Sequence, residues 1–393
     1  MLKRGLLFIT GLLLSASLQA QDPQMTSWWF NTTNNTYNGI LTDVEAVYYN
    51  TTNLYVKTSC VPNYYLDGQS VNDAVDQQAI FIIPRNPTPD STPDSIQGGQ
   101  TALFLDGSVA FHPGDAQSYN SQNVWWRIAY YFEGTDMDNY NGHSTPNDQI
   151  YHHHFDNLAL NNTGSTMHSP IVGYAWAGYP IYGSYAYANT DGTGGITRMK
   201  TSYQKHTYTT RTNGPAVNTQ YPIGCFINDW YYSAGSGDLD EHNGRFAVTP
   251  EYPSGTYAYY TTIDANDDPE YPYFIGHTLY GTYTNANMGP GPGTNTVPTG
   301  ATQYIPTEVK AATEIEAMFK VYPIPVVDYM NIDPVKDGNY EVTIFDARGS
   351  VLLKEQFSRS EKINMSGFAY GMYVVHVADV DANTGFIKRI VKR

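Results

Sequence analysis

The sequence predicts an all-β protein with long loops, and three observations support that prediction. Apolar residues occur in short alternating or β-branched runs, such as EAVYYNTTNLYVKTS, QQAIFIIP and GTYAYYTTID, which is typical of strands. Turn-forming stretches separate these runs. No amphipathic helical pattern is found between residues 22 and 300. The body is therefore expected to be a large β-sandwich or barrel-like domain whose loops carry the chemistry.

The N-terminus predicts export from the cytoplasm. Lys3 and Arg4 precede an apolar run that ends at Leu14, and small residues follow up to Ala20. This order is typical of a secretory signal peptide over residues 1–20, and the run is too short for a membrane anchor. No later stretch approaches the ~20 apolar residues that a membrane helix requires. We therefore expect an exported protein without a membrane span.

Charge is distributed unevenly along the chain. Residues 21–318 contain 9 basic and 28 acidic residues, whereas residues 319–393 contain 10 basic and 9 acidic residues. A body this acidic repels nucleic acids and anionic membranes and attracts cations. The charge therefore argues against a nucleic-acid partner and favours cations or neutral, hydroxyl-rich ligands.

The chain contains two cysteines, Cys60 and Cys225. They form one disulfide in an oxidising compartment or remain two free thiols, and the sequence leaves both readings open. Neither cysteine has the partners for a cysteine-rich zinc site or a CxxC redox motif.

The character of the sequence changes after residue 288. Residues 289–318 begin with GPGPGTNTVPTG, which is typical of a linker. The later runs YEVTIFDARGSVLLKEQF and GMYVVHVADVDANTGFIKRIVKR alternate apolar and polar residues, and Gly349 supplies a hairpin turn. These features predict a domain over residues 21–288, a linker and a small β-sandwich over residues 319–393.

The C-terminal stretch resembles the type A sorting domain of the type IX (Por) secretion system of Bacteroidetes. The resemblance depends on VYPIPVVDYMNI, VTIFDARGSVLL, GFAYGMYVVHV and the basic end IKRIVKR, with Ile324 where the family usually has asparagine. It implies an immunoglobulin-like sandwich that engages the type IX secretion machinery and is usually cleaved off. The expected location is therefore secreted or at the cell surface.

Histidines concentrate in one segment of the body. Five of the ten lie within residues 136–168, and IYHHHFDN contains three in a row. Alternate side chains of a strand share a face, so His152 and His154 point one way and His153 the other. Two imidazoles at this spacing can converge on one metal ion. The alternative is that tyrosine and histidine pack on a half-wet sheet face.

The body also resembles the YHYH family of secreted bacterial proteins. The matching stretches run in order through FIIPRNP, FLDGSVAFHPGDAQSY, VWWRIAYYFEGTDMDNYNGHS, YHHH, HSPIVGYAWAGYPIYG, GSGDLDEHNGRFAVTPEYPSGTYAYY and YPYFIGHTLYG. The resemblance implies that Tyr151, His143, His152, His154 and His168 belong to the family signature. We expect the four histidines to bind a transition metal, zinc or copper, because no cysteine accompanies them.

The chain departs from the family pattern at several positions. His153 replaces the second tyrosine of the motif, and Ala177 stands where the family places an acidic residue. His242 and His277 stand where many relatives have cysteine, which leaves open a second histidine site.

Asp240, Glu241 and Arg245, in the stretch GDLDEHNGR, are the candidate catalytic residues. A bound metal lowers the pKa of its water toward ~7, so that hydrolysis becomes feasible, and copper would favour oxidation. The carboxylates would act as acid or base, and Arg245 would hold an anion or a carbonyl. The alternative for this stretch is a solvated turn, and whether the protein is an enzyme stays open.

A second function class is a non-catalytic extracellular module that binds carbohydrate, such as a cell-surface polysaccharide, or serves in adhesion. Its support is a set of paired aromatic residues: Trp28–Trp29, Trp125–Trp126, Tyr231–Tyr232 and Tyr259–Tyr260. The alternative is that these rings belong to the sandwich core.

Overall fold

A computed structural model describes residues 22–65, 72–96, 98–160, 165–287, 295–306, 319–323, 326–345, 351–369, 371–380 and 384–392. The predicted signal peptide, both ends of the predicted linker and the predicted turn at Gly349 lie outside these residues. Within them, helices are short: α1 (Pro23–Thr26), α2 (Ala129–Phe132) and four 3-10 turns at Tyr119–Ser121, Gly134–Asp136, Ile227–Asp229 and Asn285–Asn287. No described helix is long and apolar enough to cross a membrane.

Strands dominate the chain, which confirms the all-β prediction. The strands of the body are β1 (Thr36–Tyr37), β2 (Ile40–Leu41), β3 (Val44–Tyr49), β4 (Asn53–Thr58), β5 (Ala79–Pro84), β6 (Gln100–Phe104), β7 (Val109–Phe111), β8 (Ala116–Ser118), β9 (Trp126–Arg127), β10 (Gly142–Ser144), β11 (Tyr151–His153), β12 (Ile171–Ala175), β13 (Pro180–Tyr182), β14 (Tyr185–Tyr187), β15 (Ile196–Arg198), β16 (Tyr203–Lys205), β17 (Trp230–Tyr232), β18 (Gly244–Ala247), β19 (Thr256–Tyr260) and β20 (Thr302–Tyr304).

The largest sheet has eight strands in the order β10-β11-β7-β6-β12-β13-β19-β18, and a second sheet has the order β20-β3-β4-β5. The central strands β6, β7 and β12 are buried along their whole length. Accordingly, β7 and β12 consist of apolar residues and one glycine, as expected for strands that are covered on both faces. Phe81 of the second sheet stacks on Trp176 at 5.2 Å, and both belong to one core. The described sheets do not close into a barrel.

Part of the predicted linker is folded onto the body. Strand β20 lies within residues 289–318 and pairs antiparallel with β3. The ring of Tyr304 lies 6.0 Å from that of Phe30. The Asn295 amide donates to the carbonyl of Ile80 at 2.9 Å. These contacts extend the body to the end of β20 at Tyr304.

The C-terminal part is a separate sandwich with its own core, as predicted. Its strands are β21 (Phe319–Tyr322), β22 (Tyr329–Pro334), β23 (Tyr340–Phe345), β24 (Val351–Phe357), β25 (Glu361–Asn364), β26 (Gly371–Asp379) and β27 (Thr384–Lys392). They form the sheets β21-β22-β25 and β24-β23-β26-β27. The predicted hairpin is present as the antiparallel pair β23–β24.

The two cysteines are free thiols, and both are buried. Cys60 belongs to the core of the body, whereas Cys225 lies beside the Arg211 guanidinium. Burial raises the pKa of the Cys225 thiol to about 12 and raises that of Cys60 further. Both thiols are therefore protonated and unreactive at neutral pH.

Candidate metal centre

Two adjacent strands bring three histidines together. His143 of β10 lies directly opposite His152 of β11 in an antiparallel register. His154 follows β11 and shares a face with His152, as the alternation predicts. One nitrogen from each of the three rings lies within 4.8 Å of the others. This arrangement is a candidate site for a metal ion.

Glu133, which follows α2, adds a carboxylate to the cluster. Its Oε2 atom lies 3.2 Å from His154 Nε2 and 3.5 Å from His143 Nε2. The sequence analysis did not identify this residue, because nothing in the sequence distinguishes it from the other acidic residues that precede the histidines. The centre therefore offers three imidazoles and one carboxylate.

The outer ring nitrogens fix the orientation of two imidazoles. His152 Nδ1 lies 3.0 Å from the carbonyl oxygen of Ile150, and His154 Nδ1 lies 3.4 Å from that of His112. Because a carbonyl only accepts, Nδ1 carries the proton in each neutral ring and Nε2 carries a lone pair. The two Nε2 atoms nevertheless lie 2.9 Å apart. The Nε2 atom of His143 is also buried, without a hydrogen-bond partner.

Burial lowers the pKa of two of these imidazoles, those of His143 and His152. It lowers the pKa of His152 well below the usual value, and the charges of His154 and His143 lower it further. Burial and the charge of His154 lower the pKa of His143 to about 4. Burial alone would raise the pKa of Glu133, but the neighbouring imidazoles of His154 and His143 outweigh it and lower that pKa. The centre therefore presents a carboxylate together with the neutral rings of His143 and His152, the forms that bind metal ions.

The centre is rigid on one side and open on the other. The Phe111 ring stacks on His152 at 4.1 Å and meets His154 edge-on at 6.0 Å. The His154 side chain is 2% exposed, whereas that of Glu133 is 28% exposed. Solvent and ions therefore approach past Glu133.

The opposite face of β11 anchors the strand. His153 Nε2 lies 3.3 Å from the Tyr64 hydroxyl, and the Tyr151 hydroxyl donates to Asp138 at 2.6 Å. Tyr151 passes so close to Gly142 that a Cβ atom there would collide with the phenol. Tyr151 therefore packs against a position of β10 where only glycine fits. This contact holds β10 against β11 and so keeps His143 opposite His152.

The structure does not bring His168 to the centre. His168 precedes β12, and its ring lies 5.0 Å from Tyr182 of β13 and 5.1 Å from Tyr187. Strand β13 is four strands from β11 in the sheet, on the order of 19 Å at ~4.8 Å per strand. Of the four histidines expected to bind a metal, the structure therefore brings three together, with Glu133 beside two of them, and places His168 elsewhere.

Asp240, Glu241 and Arg245 lie at β18, the edge of the sheet opposite β10. The Asp240 carboxylate accepts the Tyr257 hydroxyl at 2.9 Å, and burial raises its pKa. The Glu241 side chain is exposed, and Arg245 donates to two backbone carbonyls beneath the Tyr260 ring. The three residues therefore lie away from His143, His152 and His154, and their stretch contains a backbone turn in which the Asn243 N–H donates to the Asp240 carbonyl at 3.0 Å.

His242 and His277 do not combine into a second centre. His242 Nδ1 lies 2.6 Å from the Thr278 hydroxyl, whereas His277 Nε2 bonds to the Tyr271 hydroxyl. Throughout the described residues, the cluster around His152 is the one place where three such ligands meet.

Comparison with known proteins accounts for both parts of the chain. Residues 80–271 match a family described as YHYH protein, and residues 320–393 match one described as secretion system C-terminal sorting domain. The chain carries a YHYH domain followed by a sorting domain. This confirms both resemblances and places the protein outside the cell or on its surface through type IX secretion. All four donors of the centre lie within the matched YHYH range.

One solved structure similar to this chain is PorZ, an essential bacterial surface component of the type-IX secretion system of Porphyromonas gingivalis. The two chains are 13% identical, the match covers 89% of this chain and 59% of PorZ, and the TM-score is 0.19. At this TM-score the likeness supports no inference about fold or function. No curated protein matches the chain.

Proposed function

We propose that the YHYH domain of this protein binds one transition-metal ion, zinc or copper, through Nε2 of His143, His152 and His154, with Glu133 as the fourth donor. The supporting observation is the 2.9 Å separation of two Nε2 atoms whose Nδ1 atoms both face carbonyl oxygens. Two lone pairs this close repel, and a cation among them removes the repulsion.

The donor set narrows the class of ion. Imidazole nitrogens suit zinc, copper, iron and nickel, whereas a site made only of oxygen would suit magnesium or calcium. When bound, such an ion supplies an activated water for hydrolysis or, as copper, a centre for oxidation. Glu133 is the most exposed donor, so a substrate would approach on its side. The reaction proposed is therefore metal-dependent hydrolysis or oxidation of an extracellular substrate.

A proton is the competing occupant of this position. With both nitrogens protonated, His154 would donate from Nε2 and have the Glu133 carboxylate as counter-charge at 3.2 Å. The cluster would then be a buried ion pair that stabilises the loop after α2. A measurement of metal binding distinguishes the metal site from this ion pair.

The test uses the purified mature protein, stripped of metal and then titrated with zinc and with copper. We expect one ion per chain, and no tight binding by the His152→Ala/His154→Ala variant. Glu241→Gln is the matched control, because that carboxylate lies at the far edge of the sheet; it should bind as the parent does. Circular dichroism shows whether each variant is folded. A folded parent that binds neither ion, or a double variant that binds as tightly, would refute the proposal.

A further inference from the structure

A cavity of about 320 Å³ lies outside the metal centre. Its lining combines two indole rings, Trp126 and Trp230, with His277 and the residue pairs Ser95–Ile96 and Ile227–Asn228. The volume is at the lower end of the range for ligand pockets, about 300–1,000 Å³, so it suits one ring rather than a long chain.

The lining is mixed in polarity but carries no net charge. Its described residues include no lysine, arginine, aspartate or glutamate. Burial lowers the pKa of His277 to about 4, so its ring is neutral at neutral pH. Asn228 and Ser95 are exposed and offer an amide and a hydroxyl that donate and accept hydrogen bonds. Such a lining suits a neutral ligand that has apolar ring faces and hydroxyl groups.

We propose that this cavity binds one neutral sugar ring, as a unit of an extracellular polysaccharide. The inference goes beyond the proposed metal site and does not depend on it. Of the paired aromatic residues that suggested carbohydrate binding, Trp28, Tyr259 and Tyr260 are buried in the core. Trp126, in contrast, lines the cavity.

The wall formed by Ile227–Trp230 is held by a buried ion pair. The Asp229 side chain, fully buried between these lining residues, accepts both Nε and an Nη of Arg211 at 2.7 Å. It also accepts the backbone N–H groups of Gly224 and Phe226. The Trp230 ring is supported by Tyr271, stacked at 4.8 Å. A wall fixed before binding costs little ordering free energy when a ligand arrives.

The facing wall is fixed in a similar way. The N–H of Ile96 donates to the His277 carbonyl at 2.7 Å, and Ser95 forms a β-bridge with Thr278. The N–H of His277 donates to the Tyr203 hydroxyl at 3.3 Å. Both walls are therefore held by bonds that do not require a ligand.

A short backbone segment connects the cavity with the metal centre. The Ile227 side chain packs against Gly114. The Gly114 N–H donates to His112 Nδ1 at 3.1 Å, and the His112 carbonyl faces His154 Nδ1. The segment 112–114 therefore contacts both the cavity wall and the candidate metal centre.

The test is saturation-transfer NMR on the full mature protein with methyl glycosides of glucose, galactose, mannose and N-acetylglucosamine. We expect a Kd on the order of 1 mM for at least one of them, because a single ring makes few contacts. Asn228→Ala and Trp126→Phe should each weaken that binding about tenfold or more. The matched control Asn285→Ala, an exposed asparagine outside the cavity, should bind as the parent does.

Glycoside binding is measured with and without a chelator. The sugar proposal is thereby tested independently of the metal proposal. An unchanged Kd in chelator supports an independent sugar site. The proposal is overturned if no glycoside binds at ~10 mM, if both cavity variants bind as the parent does, or if phenol binds more tightly than every sugar. The last result would assign the cavity to a small aromatic ligand.

Discussion

At the scale of single residues, the charge state of a few buried groups decides what the molecule can bind. His152 and His154 are oriented by carbonyl oxygens that their own strand and a neighbouring segment supply. Among the described residues, Glu133 is the carboxylate that lies within 4 Å of the Nε2 atoms of His143 and His154. We therefore expect the proposed metal site to depend on one carboxylate that the histidine motif does not contain.

Replacing Glu133 by glutamine tests that dependence. The change keeps the size of the side chain and removes its charge, so we expect the metal affinity to fall at least tenfold, a loss typical of a residue that supports a metal site. Competition with a chromophoric chelator measures the affinity. Asp136→Asn, an exposed neighbour at the end of the next 3-10 turn, should leave it unchanged. Equal affinities for Glu133→Gln and the parent would reduce the site to three donors.

Asp43 carries a second prediction at this scale. It is 3% exposed, and burial raises its pKa to about 7, against the lowering effect of the Asn63 N–H. In an unfolded chain the pKa is about 3.9, so between about pH 4 and 7 the unfolded state loses the proton first. The free energy of unfolding should therefore fall as pH rises through this window, by a few kcal/mol at most, and then level off.

An asparagine side chain is neutral at every pH, so Asp43→Asn should abolish this decline and be the more stable protein at pH 8. The amide oxygen still accepts the Asn63 N–H, and asparagine tolerates the left-handed backbone at this position, φ 62°. Urea unfolding at pH 4.5 and pH 8 measures the effect, with the exposed Asp94→Asn as control. A parent whose stability does not change between these pH values would contradict the assignment.

At the scale of elements, the alternation of side chains along each strand predicted which residues share a face, but it did not predict which strands pair. The period of two placed His152 and His154 on one face and identified most strands, because it follows from local geometry alone. The register that sets His143 opposite His152, and the one-turn helix that delivers Glu133, depend on contacts distant in sequence. The parallel pairs β11–β7 and β13–β19, which require crossovers, were invisible for the same reason.

Gly142 links strand pairing to the candidate metal centre. A Cβ atom there would lie 2.9 Å from the His153 ring and closer still to the Tyr151 phenol. Gly142→Ala should therefore push β10 from β11, weaken metal binding and lower the free energy of unfolding by about 1–3 kcal/mol. Gly134→Ala is the matched control, since its Cβ would meet nothing within 4 Å. Isothermal titration and urea melts measure both effects; unchanged metal affinity in folded Gly142→Ala would show that this contact does not position His143.

For the whole molecule, the two matched families correspond to two separate cores. The difference in charge between them agrees with this division, since the body is strongly acidic and the sorting domain nearly neutral. The boundary itself could not be read from composition. The stretch ATQYI lies among linker-like residues, yet the body uses it as the edge strand β20.

That boundary gives the last prediction. A chain ending at residue 306 keeps β20 and the Asn295 amide bonds to Ile80 and Ala286. It should retain the metal affinity and the main melting transition of the mature protein. A chain ending at residue 294 loses these bonds and exposes the edge of β3, so it should melt several degrees lower and aggregate more readily. Calorimetry of the two truncated chains and the mature protein measures these melting temperatures. Identical melting of both truncated chains would mean that β20 does not stabilise the body. Loss of metal binding by the chain that ends at residue 306 would mean that the YHYH domain needs its sorting domain to fold.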